Sequence, residues 1–297
     1  GTSPPIFQGI TAWAIARLKG APFVFEVRDL WPAFAVQVGV LKQPVLILAS
    51  EWLERFLYRQ ANRLVVNSPG FVEHVQQRGA QQVQVIPNGA DCSMFDPRAD
   101  KLDSRRRFMP SLVDKFIALY AGAHGLSNDL EVVLLAADLL RDRPEITLVL
   151  LGDGKEKPAL QSKAAKMNLR NVVFLPPISK TEIPLALAAA DACIAILKPI
   201  ALYSTVYPNK VFDYMAASQP VVLAINGVIR DVLEDARAGI WVPPGDPAAL
   251  ARAICTLADH PEQGREMGQR GRRYLEEHFD RAALARQLAE LFESLSG

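Results

Sequence analysis

The residues best suited to chemistry lie between positions 202 and 224. Pro208 predicts the first residue of a helix, because proline fixes φ and pushes its predecessor out of the α region. Asn209, Lys210 and Asp213 then share one helix face at spacings of three and four. An amide, an ammonium and a carboxylate at a helix N-terminus can hold a phosphate and a sugar hydroxyl. The same residues also fit a capped, solvated helix end, and this stretch alone does not separate the two interpretations.

Two glycine-containing turns follow predicted buried strands. Gly122-Ala-His-Gly125 and Gly152-Asp-Gly154 are expected to leave backbone amides free for phosphate, and His124 is a candidate donor to it. Neither turn completes the dinucleotide fingerprint, since Lys157 stands where its last glycine would be. Each alone also fits a tight turn, but two at one edge of a parallel sheet favour a ligand site.

The composition and the missing motifs disfavour several classes of protein. The 33 basic and 32 acidic side chains give no global charge for nucleic acid, and no apolar run reaches the roughly 18 residues of a membrane span. There is no Walker A lysine motif, no Asp-x-Asp pair and no Gly-x-Ser-x-Gly elbow, so no metal site and no common hydrolase is predicted. Three isolated cysteines indicate reduced thiols in the cytoplasm.

Strand patterns that alternate with helix patterns predict parallel, doubly wound α/β sheets. Before residue 90, strands are predicted at 23–27, 63–67 and 83–86. From residue 116 onward, strands are predicted at 116–121, 146–151, 172–175, 192–197, 221–225 and 240–242. The second half thus predicts a complete sheet, and the first half predicts an incomplete one.

A polar, weakly periodic segment at residues 90–115 marks the expected domain boundary, and its Arg105-Arg106-Arg107 run is expected in a solvated turn. The expected parts of the chain are a partial N-terminal acceptor-side domain at residues 1–100, a nucleotide-sugar domain at residues 101–280 and a closing helix at residues 281–297. This helix is expected to pack back on the N-terminal domain.

Several motifs, in the same order along the chain, resemble those of glycosyltransferase family 4. The segment 86–91, Ile-Pro-Asn-Gly-Ala-Asp, resembles the family's interdomain I-P-N-G-V-D. The segment 213–222 resembles its E-A-M-A-x-G-x-P-V-V, and the turns at 120–122 and 151–154 occur at the family's usual places. The segment 26–32, Glu-Val-Arg-Asp-Leu-Trp-Pro, is similar to bacterial enzymes of O-antigen and lipopolysaccharide assembly, a group that includes N-acetylfucosamine transferases.

This resemblance implies the GT-B architecture, with two Rossmann-like domains and the nucleotide-sugar in the C-terminal one. It implies a transferase that moves a hexosyl or acetamidosugar group, with retention of configuration, to a lipid-linked or lipopolysaccharide glycan. A UDP-sugar is the expected donor, and no further cofactor is expected. The expected location is the cytoplasm, with contact to the inner face of the membrane and a homo-oligomer through the incomplete sheet as open alternatives.

The resemblance also assigns roles to single residues. The expected catalytic residues are Lys210, His124 and Asp29, and Arg28 is expected on the acceptor side. The expected donor-binding residues are Gly122, Gly152, Asp153, Thr205, Asn209, Lys210 and Asp213. Within this set, Lys210 and His124 balance the diphosphate and Asp213 holds the ribose.

The chain departs from the family pattern in three respects. Thr205 replaces the first of the family's paired glutamates, and Asp213 shortens the second. The family's basic pair near the first donor-domain strand is absent, and about a hundred residues that relatives carry before position 3 are expected to be missing. Two other functions therefore stay open: a nucleotide-N-acetylhexosamine epimerase, and an inactive fragment that binds nucleotide.

Overall fold

The computed structural model describes residues 1–96 and 98–296, and the side chain of Ser296 is not described. The chain divides into two compact units. Unit 1 contains Gly1–Asn88, Ser204–Tyr207 and the chain from Ala282 onward. Unit 2 contains Gly89–Tyr203 and Pro208–Arg281. Each unit is built on a parallel sheet, which confirms the predicted fold class.

Unit 1 holds a four-stranded parallel sheet in the order β1-β2-β3-β4. Its strands are β1 (Thr2–Ser3), β2 (Val24–Val27), β3 (Arg63–Val66) and β4 (Val83–Val85). Its helices are α1 (Gln8–Lys19), α2 (Ala33–Gln37), α3 (Pro44–Gln60), α4 (Val72–Gln77) and, beyond its first residue, α13 (Arg281–Ser296). The three predicted strands form, and β1 was missed because a two-residue strand leaves no periodicity to read.

The core of unit 1 combines apolar packing with one buried carboxylate. Leu284 and Leu291 of α13 pack against Val65 of β3. Glu54 of α3 is fully buried and ties α3 to α4, because it accepts hydrogen bonds at 2.8 Å from the His74 ring and at 2.7 Å from the Arg78 guanidinium. Both oxygens of the buried carboxylate are therefore satisfied.

Unit 2 holds a six-stranded parallel sheet in the order β10-β9-β8-β5-β6-β7. Its strands are β5 (Phe116–Ala121), β6 (Ile146–Leu151), β7 (Val172–Leu175), β8 (Ala192–Ile196), β9 (Val221–Ala224) and β10 (Gly239–Trp241). All six predicted strands form, with ends within one residue of the prediction. β6, β8 and β9 are buried at every residue, as continuous apolar runs covered on both faces should be.

The helices of unit 2 lie between and after these strands. They are α5 (Lys101–Phe108), α6 (Leu130–Leu139), α7 (Lys157–Lys166), α8 (Ile183–Ala188), α9 (Asn209–Ala216), α10 (Val228–Ala236), α11 (Pro247–Asp259) and α12 (Pro261–His278). Helix α11 begins as the sequence indicates, because the Asp246 side chain accepts a hydrogen bond from the Ala249 amide and proline occupies the next position.

The arginine run does not form the predicted turn, and the predicted solvation holds for only two of its three side chains. Residues 105–107 lie in α5, whose N-terminus is capped by the side chain of Asp100. Arg105 is 8% exposed, and its guanidinium donates to the carbonyls of Ala189 and Val113 at 2.9 Å and to the carboxylate of Asp191. These partners are distant in sequence, so a local charge pattern cannot indicate the burial.

Glycines let α12 pack closely on the chain that leaves α9. A Cβ built on Gly268 would lie 1.9 Å from the carbonyl oxygen of Ser218, a distance that no real contact tolerates. A Cβ on Gly264, one turn earlier in the same helix, would meet its nearest atom at 3.5 Å. The two positions therefore form a matched pair in one helix.

We predict that Gly268→Ala lowers the free energy of unfolding by about 1–3 kcal/mol, the typical cost of overpacking. Gly264→Ala should leave it unchanged or raise it by up to about 1 kcal/mol, because alanine favours a helix over glycine. Urea unfolding of both variants beside the parent measures the difference. Equal stability of the two variants would contradict the predicted clash.

Candidate functional site

Helix α9 carries three of the predicted site residues. Its apolar face is buried through Val211 and Met215. The Tyr214 hydroxyl accepts a hydrogen bond from the Ala121 amide at 3.0 Å and donates to the Ala121 carbonyl at 3.1 Å. Because Ala121 ends β5, this pair of hydrogen bonds fixes α9 against the turn that follows that strand. On the other face Asn209 is exposed, and Lys210 and Asp213 are partly buried.

The two glycine turns pack on each other at the carboxyl ends of β5 and β6. The Gly122 amide donates to the Leu151 carbonyl at 3.0 Å, and the His124 amide donates to the Asp153 carbonyl at 2.7 Å. The Gly152 amide likewise donates to a carbonyl, at 3.3 Å. The expectation that these turns leave their amides free is wrong for these three groups, because neighbouring backbone already satisfies them.

The requirement for glycine at Gly152 comes from this packing. Its φ is +138°, and a Cβ there would lie 2.0 Å from the Gly122 carbonyl oxygen. Gly122 has a φ of +150°, and a Cβ on it would lie 3.0 Å from the Lys210 Nζ atom. One glycine therefore admits a second backbone and the other admits an ammonium group.

Lys210 is the central charge of the site. Its Nζ atom donates to the Tyr120 hydroxyl oxygen at 2.9 Å and to the Asn128 Oδ1 atom at 3.2 Å, and it lies 4.1 Å from the Tyr120 ring centroid. Within the described chain no carboxylate lies at ion-pair distance from Nζ. Burial lowers the pKa of Lys210 to about 7. An anion that displaces water here would find a cation without a counter-ion.

His124 is part of the turn Gly122-Ala-His-Gly125, and its side chain is fully buried. Its ring sits between the rings of Tyr120 and Phe174, with centroid distances of 5.9 Å and 6.3 Å. Burial, followed by the charges of Lys157 and Lys210, lowers the pKa of His124 to about 4, so the ring is neutral at pH 7. Neither ring nitrogen has a hydrogen-bond partner among the described residues. His124 therefore brings no positive charge to this edge of the sheet.

Lys157 supplies a second ammonium, which the sequence interpretation did not assign to the site. Its Nζ atom donates to the Gly152 carbonyl at 2.7 Å and to the Leu175 carbonyl at 2.9 Å, at the carboxyl ends of β6 and β7. The sequence does carry a signal for it, because a lysine at the mismatched position of a glycine fingerprint lies close to the turn.

The two acids assigned to donor binding differ in their surroundings. Asp153 is exposed, and its Oδ1 atom accepts a hydrogen bond from the Gly154 amide at 2.8 Å. Asp213 is partly buried on α9. Burial raises the pKa of the Asp213 carboxyl, while the charges of Arg281 and Lys180 oppose the rise.

Three predicted site residues lie in unit 1. Arg28 and Asp29 follow β2, and burial raises the pKa of Asp29 to about 6 against a hydrogen bond from the Leu30 amide. The Thr205 carbonyl accepts a hydrogen bond from the Ser68 hydroxyl at 2.5 Å. The structure therefore gathers Gly122, His124, Gly152, Asp153, Asn209, Lys210 and Asp213 in unit 2, and it assigns the other three to unit 1.

No group of three or more His, Cys, Asp or Glu side chains in the described part of the chain is arranged to hold a metal ion. None of the described helices combines the length and the hydropathy needed to cross a bilayer.

The fold defines the class of protein. The structure superposes on Anabaena HepE, solved in complex with UDP, with a TM-score of 0.81 and 20% identity over 98% of this chain and 77% of that one. Two parallel-sheet Rossmann-like units with this likeness define the GT-B fold. Residues 2–89 match the family described as "Glycosyl transferase 4-like domain", and residues 115–260 match "Glycosyl transferases group 1". Both parts of the chain thus match glycosyltransferase domain families.

Similar curated proteins are bacterial glycosyltransferases. The D-inositol 3-phosphate glycosyltransferase of Streptomyces avermitilis is 28% identical over 91% of this chain. A putative colanic acid biosynthesis glycosyl transferase of Escherichia coli is 27% identical over 75% of it. The chain spans only 60% and 56% of the lengths of these two relatives.

We predict that the ammonium of Lys210 makes stability depend on pH. In the folded state its pKa is about 7, and in the unfolded state it is near 10.5. Between these values the unfolded chain binds more protons, so the contribution of Lys210 to the free energy of unfolding rises with pH and levels off above the unfolded pKa.

The measurement is urea unfolding of the parent and of Lys210→Met, from about pH 6 to about pH 10. The stability of the parent relative to this variant should rise across that window. Lys166→Met removes an exposed lysine of α7 and serves as the control, which should keep the slope of the parent. A constant difference between the parent and Lys210→Met would show that the Lys210 pKa is not lowered.

Proposed function

We propose that this chain is the glycosyl-transferring part of a bacterial enzyme that moves a sugar, with retention, from a nucleoside diphosphate donor to a glycan acceptor. One observation carries the proposal: the Lys210 ammonium lies without a carboxylate partner, 3.0 Å from where a Cβ on Gly122 would be, at the carboxyl edge of a parallel sheet. Such edges are the usual ligand sites of open α/β sheets.

The donor is proposed to bind through its diphosphate at this edge. Two phosphates carry at least two negative charges, and the N-terminus of α9 offers roughly half a positive charge. Lys210 supplies a full charge when protonated, and Lys157 supplies another at the neighbouring strand ends. The presence of UDP in the structure of Anabaena HepE supports a UDP-sugar as the donor. Asp213, on the same helix, is proposed to accept hydrogen bonds from the ribose hydroxyls.

Catalysis is proposed to depend on the leaving group. When the bond between sugar and diphosphate breaks, negative charge grows on the departing phosphate oxygen. A fixed ammonium stabilises that charge more than it stabilises the bound substrate, and this difference accelerates the reaction. Lys210 is proposed in this role, with His124 as a neutral neighbour. Asp29, whose raised pKa suits proton transfer, is proposed as the residue that receives the acceptor's proton, and Arg28 is proposed to bind the acceptor.

The acceptor is proposed to be a lipid-linked or lipopolysaccharide glycan, and the transferred group a hexose or an acetamido sugar such as N-acetylfucosamine. The E. coli relative named for colanic acid biosynthesis supports a role in the biosynthesis of a bacterial glycan. The proposed location is the cytoplasm at the inner face of the membrane, and a homo-oligomer through the edge of the four-stranded sheet is part of the proposal.

Replacement of the lysine tests the diphosphate site. Lys210→Ala should weaken UDP binding by about 1.5–3 kcal/mol, the range for a hydrogen bond to a charged group, and should leave uridine binding unchanged. Isothermal titration calorimetry measures both affinities. Lys166→Ala is the control for loss of a lysine charge, and EDTA should change neither result. Parent-like UDP binding by Lys210→Ala would remove the lysine from the site, and loss of binding in EDTA would assign the charge to a metal ion.

Asp213→Asn tests the ribose contact. An amide offers fewer acceptor positions than a carboxylate, so uridine and UDP should both bind more weakly, by about 1 kcal/mol. The fold should be kept, because the change removes a partly buried charge at constant size. Asp142→Asn, an exposed position after α6, is the matched control. If calorimetry gives unchanged affinity for both ligands, Asp213 does not hold the ribose.

A further inference from the structure

Tyr120, at the end of β5, is a fully buried residue. Its hydroxyl contacts both the Gly122 turn and the Lys210 ammonium, which together form the proposed anion site. The hydroxyl donates its one proton to the Ala123 carbonyl at 2.7 Å, within the Gly122 turn. The contact at 2.9 Å to the Lys210 Nζ atom can therefore only be one that the hydroxyl accepts. Burial raises the pKa of the phenol above its ordinary value, so this arrangement persists at neutral pH.

The Tyr120 ring and the Asn128 side chain supply the remaining contacts to the Lys210 ammonium. The Lys210 Nζ atom lies 4.1 Å from the ring centroid, within the range of a cation–π contact. The Asn128 Oδ1 atom accepts a second hydrogen bond at 3.2 Å. All of these groups are neutral, so they orient the ammonium without cancelling its charge. A carboxylate in their place would also hold the lysine, but it would neutralise the positive charge of the ammonium.

We propose that Tyr120 and Asn128 are positioning residues, which hold the Lys210 ammonium over the Gly122 turn by neutral contacts so that its charge stays available to the diphosphate. This inference rests on the proposed function, because it concerns the same anion site. Beyond that function, the position of the ammonium before the donor binds is set by two residues that do not themselves touch the donor. The Gly122 turn and the Lys210 side chain are thereby held together, since one hydroxyl forms a hydrogen bond with each.

The groups that face Lys210 determine its protonation. They are the Tyr120 side chain from β5, the Asn128 and neutral His124 side chains from the segment after β5, and the Gly122 backbone. Each hydrogen bond that the ammonium donates favours its charged form. Removal of the tyrosine hydroxyl should therefore lower the Lys210 pKa further, so that UDP affinity begins to fall at a lower pH.

The test is Tyr120→Phe, which keeps the ring and removes only the hydroxyl. UDP affinity at neutral pH should fall roughly three- to tenfold, as for loss of one hydrogen bond. The decline of affinity with rising pH should begin at a lower pH than in the parent, a change that a purely structural role would not produce. Tyr274→Phe in α12 is the control and should keep the affinity and the pH profile of the parent.

Asn128→Asp is an independent test, because it should shift the Lys210 pKa in the opposite direction. The new carboxylate should pair with Lys210 and raise its pKa, so the decline of UDP affinity should begin at a higher pH. Affinity at neutral pH should nevertheless fall at least tenfold relative to the parent, because the carboxylate repels the diphosphate and neutralises its cation. Uridine binding should be unchanged in both variants, and thermal unfolding shows whether each variant is folded.

The outcomes separate this inference from the proposed function. Weak UDP binding by Lys210→Ala with parent-like affinity and pH profile in Tyr120→Phe or in Asn128→Asp would overturn the positioning role alone. Parent-like UDP binding by Lys210→Ala would overturn the proposed function and this inference together. Opposite shifts of the pH profile in the two variants, with weaker UDP binding in both, would support the inference.

Discussion

A lysine ammonium held by neutral groups is the interaction on which the rest of the site depends. Lys210 loses water on one side of α9, and only a hydroxyl, an aromatic face and an amide replace it. An uncompensated charge costs free energy in the folded state, and burial accordingly lowers the Lys210 pKa to about 7. A bound diphosphate would return that free energy, and this is the reason that we propose for a buried ammonium at this position.

The cost is sustained because the last turn of α9 is fixed by two sets of hydrogen bonds. Within that turn, the Tyr214 hydroxyl hydrogen-bonds to both backbone groups of Ala121 at the end of β5. At its end, the Arg272 guanidinium donates at 2.6 Å to the carbonyls of Ala216 and Phe95, and it thereby caps the helix with a cation. Close packing at Gly268 brings α12 near enough for this contact. The position of the ammonium therefore rests on packing well away from it.

The main role of the two glycine turns is to let the backbone pack closely at the ends of the strands. Gly152 admits the Gly122 carbonyl, and the amides of both residues bond strand-end carbonyls. In the proposed site, contacts to phosphate at this edge then fall to side chains, and the two cations among them are Lys210 and Lys157. His124 is a neutral ring at this edge, because burial and the charges of both lysines lower its pKa. Positive charge at this edge of the sheet is thus concentrated in the two lysines.

The sequence by itself determined the alternation of strands and helices, because apolar periodicity and turn residues are local properties, and it indicated Lys210 through its place at a helix start. It could not reveal β1, which has two residues, or the burial of Arg105, whose partners are distant in the chain. Only the tertiary structure decided that the turn amides are occupied, that Lys157 joins the site, and that Thr205 lies in unit 1 with Ser68. Each of these depends on which backbone and side-chain groups meet across the fold, and no local pattern encodes such meetings.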